Sequence, residues 1–258
     1  MKKTIMTLLL LSAISTFSLN MPSKEELNHV GTLIYKNETG LKKEYLVHWN
    51  KGEEFPSLGI GHFIWYPENF KNGRFDESFP GLIEFYKEKG IEVPKILTTR
   101  YAPWSSLEEF NTAKANGDMN EAINFLESTK DVQIEYIYKR LDSSLEKITA
   151  VSKNPEHVKK QFYRVADSKN GLYPLIDYVN FKGEGIKETE RYNNEGWGLL
   201  QVLELMQGEA SGPEALEEFS EKATFVLHRR IENSPKERGE ERWKENWTNR
   251  CATYKNQK

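Results

Sequence analysis

The stretch LGIGHFIWY, residues 58–66, decides how this chain is read, together with NETG, residues 37–40, which precedes it. LGIGHFIWY is rich in β-branched and aromatic residues, the composition of a strand. Gly59 and Gly61 stand two apart within it. In a strand that spacing puts both on one face and leaves the face bare. A bare strip lets a ligand approach closely, or lets the strand pack tightly against the helical part of the chain. EYLVHW, residues 44–49, reads as a second strand, and NKGEEFPS between the two has turn chemistry. A β-hairpin or short sheet is expected here, followed by a loop, PENFKNGRFDES, at 67–78.

The segment before the sheet, SKEELNHVGTLIYKNETG, reads as a helix. Ser23 and Glu26 form a capping box. Leu27, Val30, Gly31 and Ile34 recur at helical spacing on one face, and Gly40 is a natural stop. Glu38 therefore lies at the C-terminal end of this helix, where a carboxylate meets the negative end of the helix dipole.

From about residue 80 the pattern is almost wholly helical. FPGLIEFYKEKG ends in Gly90, and SSLEEFNTAKANG opens with a capping box from Ser105 to Glu108 and ends in Gly117. DMNEAINFLES follows. The strongest periodicity covers 131–150, with Ile134, Ile137, Leu141, Leu145 and Ile148 on one side. Pro155 suits the first position of the next helix. YPLIDYVNF is a short apolar helix broken by KGEG, and two more helices follow in GWGLLQVLELMQG and PEALEEFSEKATFVLHRRIEN. The tail from Ser234 is charged, carries Trp243 and Trp247, and is expected to wrap over the body. The expected fold is α+β and predominantly α-helical. It has one domain over 21–258, with a small sheet lobe at 21–78 and a larger helical lobe at 79–258.

Composition narrows the function. With 258 residues, 38% hydrophobic and 29% charged, the chain is globular, and a net charge of -3 without a basic stripe gives no reason to expect a nucleic-acid partner. The five histidines, at 29, 48, 62, 157 and 228, have no metal-binding spacing, and Cys251 is the single cysteine. No metal, no cofactor and no internal disulfide are expected. No nucleophile elbow or phosphate-binding loop is present. MKKTIMTLLLLSAISTFSLN, residues 1–20, has two lysines, a short apolar run and a polar end, the layout of a secretory signal peptide. The chain is therefore expected to be exported, periplasmic or secreted, with no integral membrane segment after cleavage. The oligomeric state is left open.

A helix ending in Glu, then a β-hairpin, then a GIGH strand resembles the phage-type lysozymes and the wider lysozyme-like superfamily, which includes the lytic transglycosylases. The resemblance covers residues 23 to 66. It implies that Glu38 is the catalytic acid and that Gly59, Ile60, Gly61 and His62 lie beside the substrate cleft. Ser57 falls where those lysozymes carry a Thr that holds the attacking water. The family's hairpin Asp has no counterpart, because 39–57 contains no Asp, and Glu53 or Glu54 is the nearest replacement. Two carboxylates are the usual requirement for glycoside hydrolysis. Lytic transglycosylases work with one Glu, so both routes stay open.

The resemblance implies a polysaccharide partner, peptidoglycan in particular. Trp49, Trp65 and Trp197 would then supply stacking surface for sugar rings. A second crowded region, 177–201, holds the acids Asp177, Glu184, Glu190 and Glu195. Its Tyr192, Trp197 and Gln201 are expected to form the far wall of the cleft. The alternative is a non-catalytic glycan-binding or scaffold protein of the envelope with the same fold, which the missing Asp would explain.

Overall fold

The computed structural model describes residues 22–70 and 76–255; the expected signal peptide at 1–20 and the middle of the 67–78 loop lie outside the described residues. Helix α1, Lys24–Thr39, begins as its capping box predicts, with the Ser23 hydroxyl accepting the Glu26 amide at 3.1 Å. Gly40, at φ 62°, closes it in the left-handed conformation that glycine adopts without strain. Gly31 lets α1 press against α5, Lys130–Val151, the longest helix: a Cβ on Gly31 would stand 3.3 Å from Ile134.

Three short strands follow, β1 (Val47–His48), β2 (Ser57–Leu58) and β3 (Phe63–Ile64), forming an antiparallel sheet in that order. Val47 faces Leu58, and Leu58 faces Phe63. The continuous strand expected at 58–66 is in fact the end of β2, a turn over 59–62, and β3. The backbone gives the reason. Gly59 has φ 73° and His62 has φ 45°, and neither is compatible with an extended strand. The first expected strand is shorter too, since Lys43–Tyr45 coils into a single 3-10 turn.

The helical lobe consists of α2 (Phe79–Glu88), α3 (Leu107–Asn116), α4 (Asn120–Ser128), α5, α6 (Pro155–Ala166), α7 (Leu172–Lys182), α8 (Leu199–Leu205), α9 (Pro213–Asn233) and α10 (Lys244–Ala252). The cap of α3 falls one residue later than expected. Ser106 accepts the Glu109 amide, while the Glu109 carboxylate takes the Ser105 amide and hydroxyl. Between α7 and α8 lies a small hairpin, β4 (Arg191–Tyr192) with β5 (Glu195–Gly196), where only a loop with helical flanks was expected. Asn193 and Asn194, both at positive φ, make its turn.

One apolar cluster runs from Leu27 in α1 through the sheet to Tyr254 beyond α10. The tail does wrap over the body, burying Trp247, Cys251 and Tyr254. The Cys251 carbonyl accepts the Ser220 hydroxyl of α9 at 2.8 Å, and burial pushes the Cys251 thiol up to about 12. Among the described residues no helix is long and apolar enough to cross a membrane.

Candidate functional site

Glu38 stands on the last turn of α1, its side chain 17% exposed. One oxygen, Oε1, accepts a hydrogen bond from Nη2 of Arg250 on α10 at 2.7 Å. The other, Oε2, lies 3.4 Å from Nδ1 of His62. Arg250 is itself fixed by a fully buried carboxylate, Asp177 of α7: Nε donates to Oδ2 at 2.9 Å and Nη2 to Oδ1 at 2.8 Å. Tyr254 and Asn37 complete the bonding of Asp177, at 2.7 and 3.1 Å. A buried carboxylate needs such partners, and here they all arrive from different elements. Asp177 belongs to the acid-rich region picked out in the sequence. Arg250 was not picked out there, because it is 212 residues from Glu38 and sits in what reads as a solvated charged tail.

His62 reaches Glu38 from the turn between β2 and β3. Its backbone, at φ 45°, is a conformation that non-glycine residues adopt rarely and at some cost in strain. Nε2 donates to the Tyr45 carbonyl at 3.3 Å, which leaves Nδ1 to face Glu38. Burial pushes the imidazole below its ordinary value of 6.5, and the Glu38 charge opposes that shift. The ring of His48 stacks on that of His62 with centroids 6.0 Å apart. Beyond it, His48 bonds Asn50 at 2.8 Å and Asn50 bonds Glu53 at 3.1 Å. Glu53, half-buried and pushed up by desolvation, thus ends a polar row that begins at Glu38. Glu54 points to solvent, outside this row, and Ser57 is buried in β2 opposite His48 and Ile64.

A cleft of about 450 Å³ opens beside His62. Gly61, His62 and Ile64 form one wall, Val179 to Gly183 at the end of α7 form the floor, and Tyr192 and Trp197 form the far wall. Glu38 does not line it; it touches the cleft through His62. Tyr192 and Trp197 pack with centroids 4.6 Å apart, and the Arg230 guanidinium lies 4.2 Å from the Trp197 ring centre. Glu190, also on the wall, is pushed up by burial.

Four other expected substrate contacts lie elsewhere. Trp65 is fully buried between Phe79 and Trp104, and Trp49 packs edge-on against Phe110 while its indole donates to the Glu53 carbonyl at 2.8 Å. Neither offers a ring face to a sugar. Gln201 is a brace: it accepts the Gly198 amide at 2.9 Å and donates to the Gly185 carbonyl at 3.1 Å. Gly59 faces α5, where a Cβ would stand 2.4 Å from Oε1 of Gln133. That oxygen accepts the Ile60 amide at 2.8 Å, so the glycine gap admits a buried backbone-to-helix hydrogen bond. Gly61 serves both purposes, bordering the cleft and packing against Ile137.

Among the described residues no cluster of His, Cys, Asp and Glu is arranged to hold a metal ion. Compared with family models, with curated proteins and with solved structures, the chain matches none of them.

Proposed function

We propose that this chain is an exported enzyme that cleaves glycosidic bonds in a cell-envelope glycan, peptidoglycan in particular, with Glu38 as the proton donor and a lysozyme-like division of labour between its two lobes. The observation that carries the reading is the 3.4 Å approach of His62 to Glu38 at the mouth of an aromatic-walled cleft. Arg250 occupies one oxygen of Glu38 and so fixes the carboxyl group; the second oxygen faces Nδ1 of His62. Proton exchange therefore runs through Oε2. Glu38 holds the proton on Oε2, and His62, the member of the pair that lines the cleft, passes it to the leaving glycosidic oxygen as the bond breaks. Tyr192 gives the sugar an aromatic contact, backed by Trp197, which is buried beneath Tyr192 and Arg230. Glu53, at the far end of the polar row and outside the cleft lining, is the acid left to serve a hydrolytic route. Without it, the sugar's own C6 hydroxyl closes the reaction as in a lytic transglycosylase.

One observation favours the second reading, a non-catalytic glycan-binding protein: Arg250 engages Glu38 and Asp177 together. A carboxylate held in that way suits a rigid binding wall as well as a reaction. Incubating the purified chain with intact sacculi separates the two. The first reading expects soluble fragments, with new reducing ends for hydrolysis or 1,6-anhydro ends for transglycosylation. Co-sedimentation with sacculi that release no fragment overturns it in favour of binding.

A further inference from the structure

Lys182, the last residue of α7, is only 9% exposed, yet its ammonium has no hydrogen-bond acceptor and no carboxylate partner among the described residues. It lies instead 3.3 Å from the ring centre of Trp247 and 3.8 Å from that of Phe181. Two aromatic faces attract an ammonium but do not take the place of a counter-charge. Burial first, then the charges of Arg230 and Arg250, push Lys182 well below the usual lysine range, with Glu240 and Cys251 opposing them, so its charged form is favoured once an anion lies beside it. Lys182 lines the cleft, and so does Arg140 from α5, which likewise has no carboxylate partner among the described residues.

The other cations around the cleft have carboxylate partners. Lys187 pairs with Asp76, and Arg230 and Arg238 share the buried Glu240. The remaining lining acid is Glu190, raised by burial and lowered by the amides of Lys187 and Gly185. So a chain of net charge -3 lines this cleft with five basic side chains, Arg140, Lys182, Lys187, Arg230 and Arg238, against two acidic ones, Asp76 and Glu190.

We infer that this cleft takes its ligand by an anionic group, a carboxylate or a phosphate, with Lys182 and Arg140 as the counter-charges and the Tyr192–Trp197 wall against the rest of the molecule. The inference uses the cleft of the proposed glycan site but does not depend on cleavage. If both hold, the polymer is an acidic one.

Direct binding to the full chain at neutral pH, followed by calorimetry, tests it with three probes: glucuronate, inorganic phosphate and neutral N-acetylglucosamine. Glucuronate or phosphate is expected to bind saturably and in a salt-dependent way, with the neutral sugar at least about tenfold weaker. The tighter of the two anions names the source. Lys182→Met and Arg140→Gln should each weaken that binding about tenfold or more, with thermal melting reporting that the variants are folded. Binding of the neutral sugar as tightly as the anions, binding of no probe, or an unchanged Kd in a folded variant overturns the inference. If Lys182→Met fails to fold, Arg140→Gln alone decides. Loss of fragment release in a Glu38 variant leaves this result untouched, so the two proposals fail separately.

Discussion

Glu38 presents two unlike oxygens, one held by Arg250 and one open toward His62, and the proposed chemistry depends on that difference. His62 then sets the pH dependence. Its proton-bearing form is populated only below its ordinary 6.5, because burial lowers it. Cleavage should accordingly be fastest on the acid side and fall as the pH rises through that lowered value. His62→Asn should cut the initial rate on sacculi by roughly 10²-fold or more and flatten this limb of the profile. A variant with an unchanged rate and profile would remove His62 from the mechanism. Glu38 and His62 were both picked out in the sequence, one at a helix end and the other beside the glycines of a stretch that reads as a strand. Arg250 and Asp177 were not legible as their partners, because no local pattern links residues that meet only through the folding of α1, α7 and α10. Trp49 and Trp65 were read as sugar contacts for a related reason: aromatic composition does not distinguish a core ring from a cleft ring.

At the level of elements, the turn over 59–62 is where the sequence reading and the fold differ most. LGIGH has strand-like residues, and alternation alone makes it a strand. What bends it is a pair of positive-φ positions together with Gln133, which reaches out of α5 to take the Ile60 amide. Gln133 is itself anchored by donating to the Leu126 carbonyl at 2.7 Å, so it has little room to give way. Gly59→Ala must therefore strain the backbone and displace a buried acceptor at once. It should destabilise the fold by about 2–4 kcal/mol, read as a lowered urea midpoint with unchanged slope. A midpoint equal to wild type would mean that the turn does not depend on glycine. The helices were more legible than the sheet, because their caps and apolar faces repeat over many residues, whereas each strand is two residues long.

Across the whole molecule, the first and last helices are tied together through one buried carboxylate. Asp177 fixes Arg250, and Arg250 fixes Glu38, so α1, α7 and α10 share one polar junction. Asp177→Ala leaves the guanidinium without its main partner and should cost about 3–5 kcal/mol in chemical denaturation; a loss under about 1 kcal/mol would show that the junction is dispensable. A second junction governs acid stability. Burial raises the Glu240 carboxyl, but the hydrogen bonds and charge of Arg230, then Arg238 and Tyr192, outweigh it and hold the group at about 2 against an ordinary 4.5. Its contribution is complete above the ordinary value and is lost as the pH falls toward 2. Melting temperature should drop steeply over that window in wild type and much less in Glu240→Gln.

Fragment release from purified sacculi by wild type and by Glu38→Gln, with circular dichroism confirming that both are folded, tests the central claim most directly. Wild type is expected to release fragments and the variant none above background, because the amide cannot deliver a proton. Release by the folded variant at the wild-type rate would contradict it.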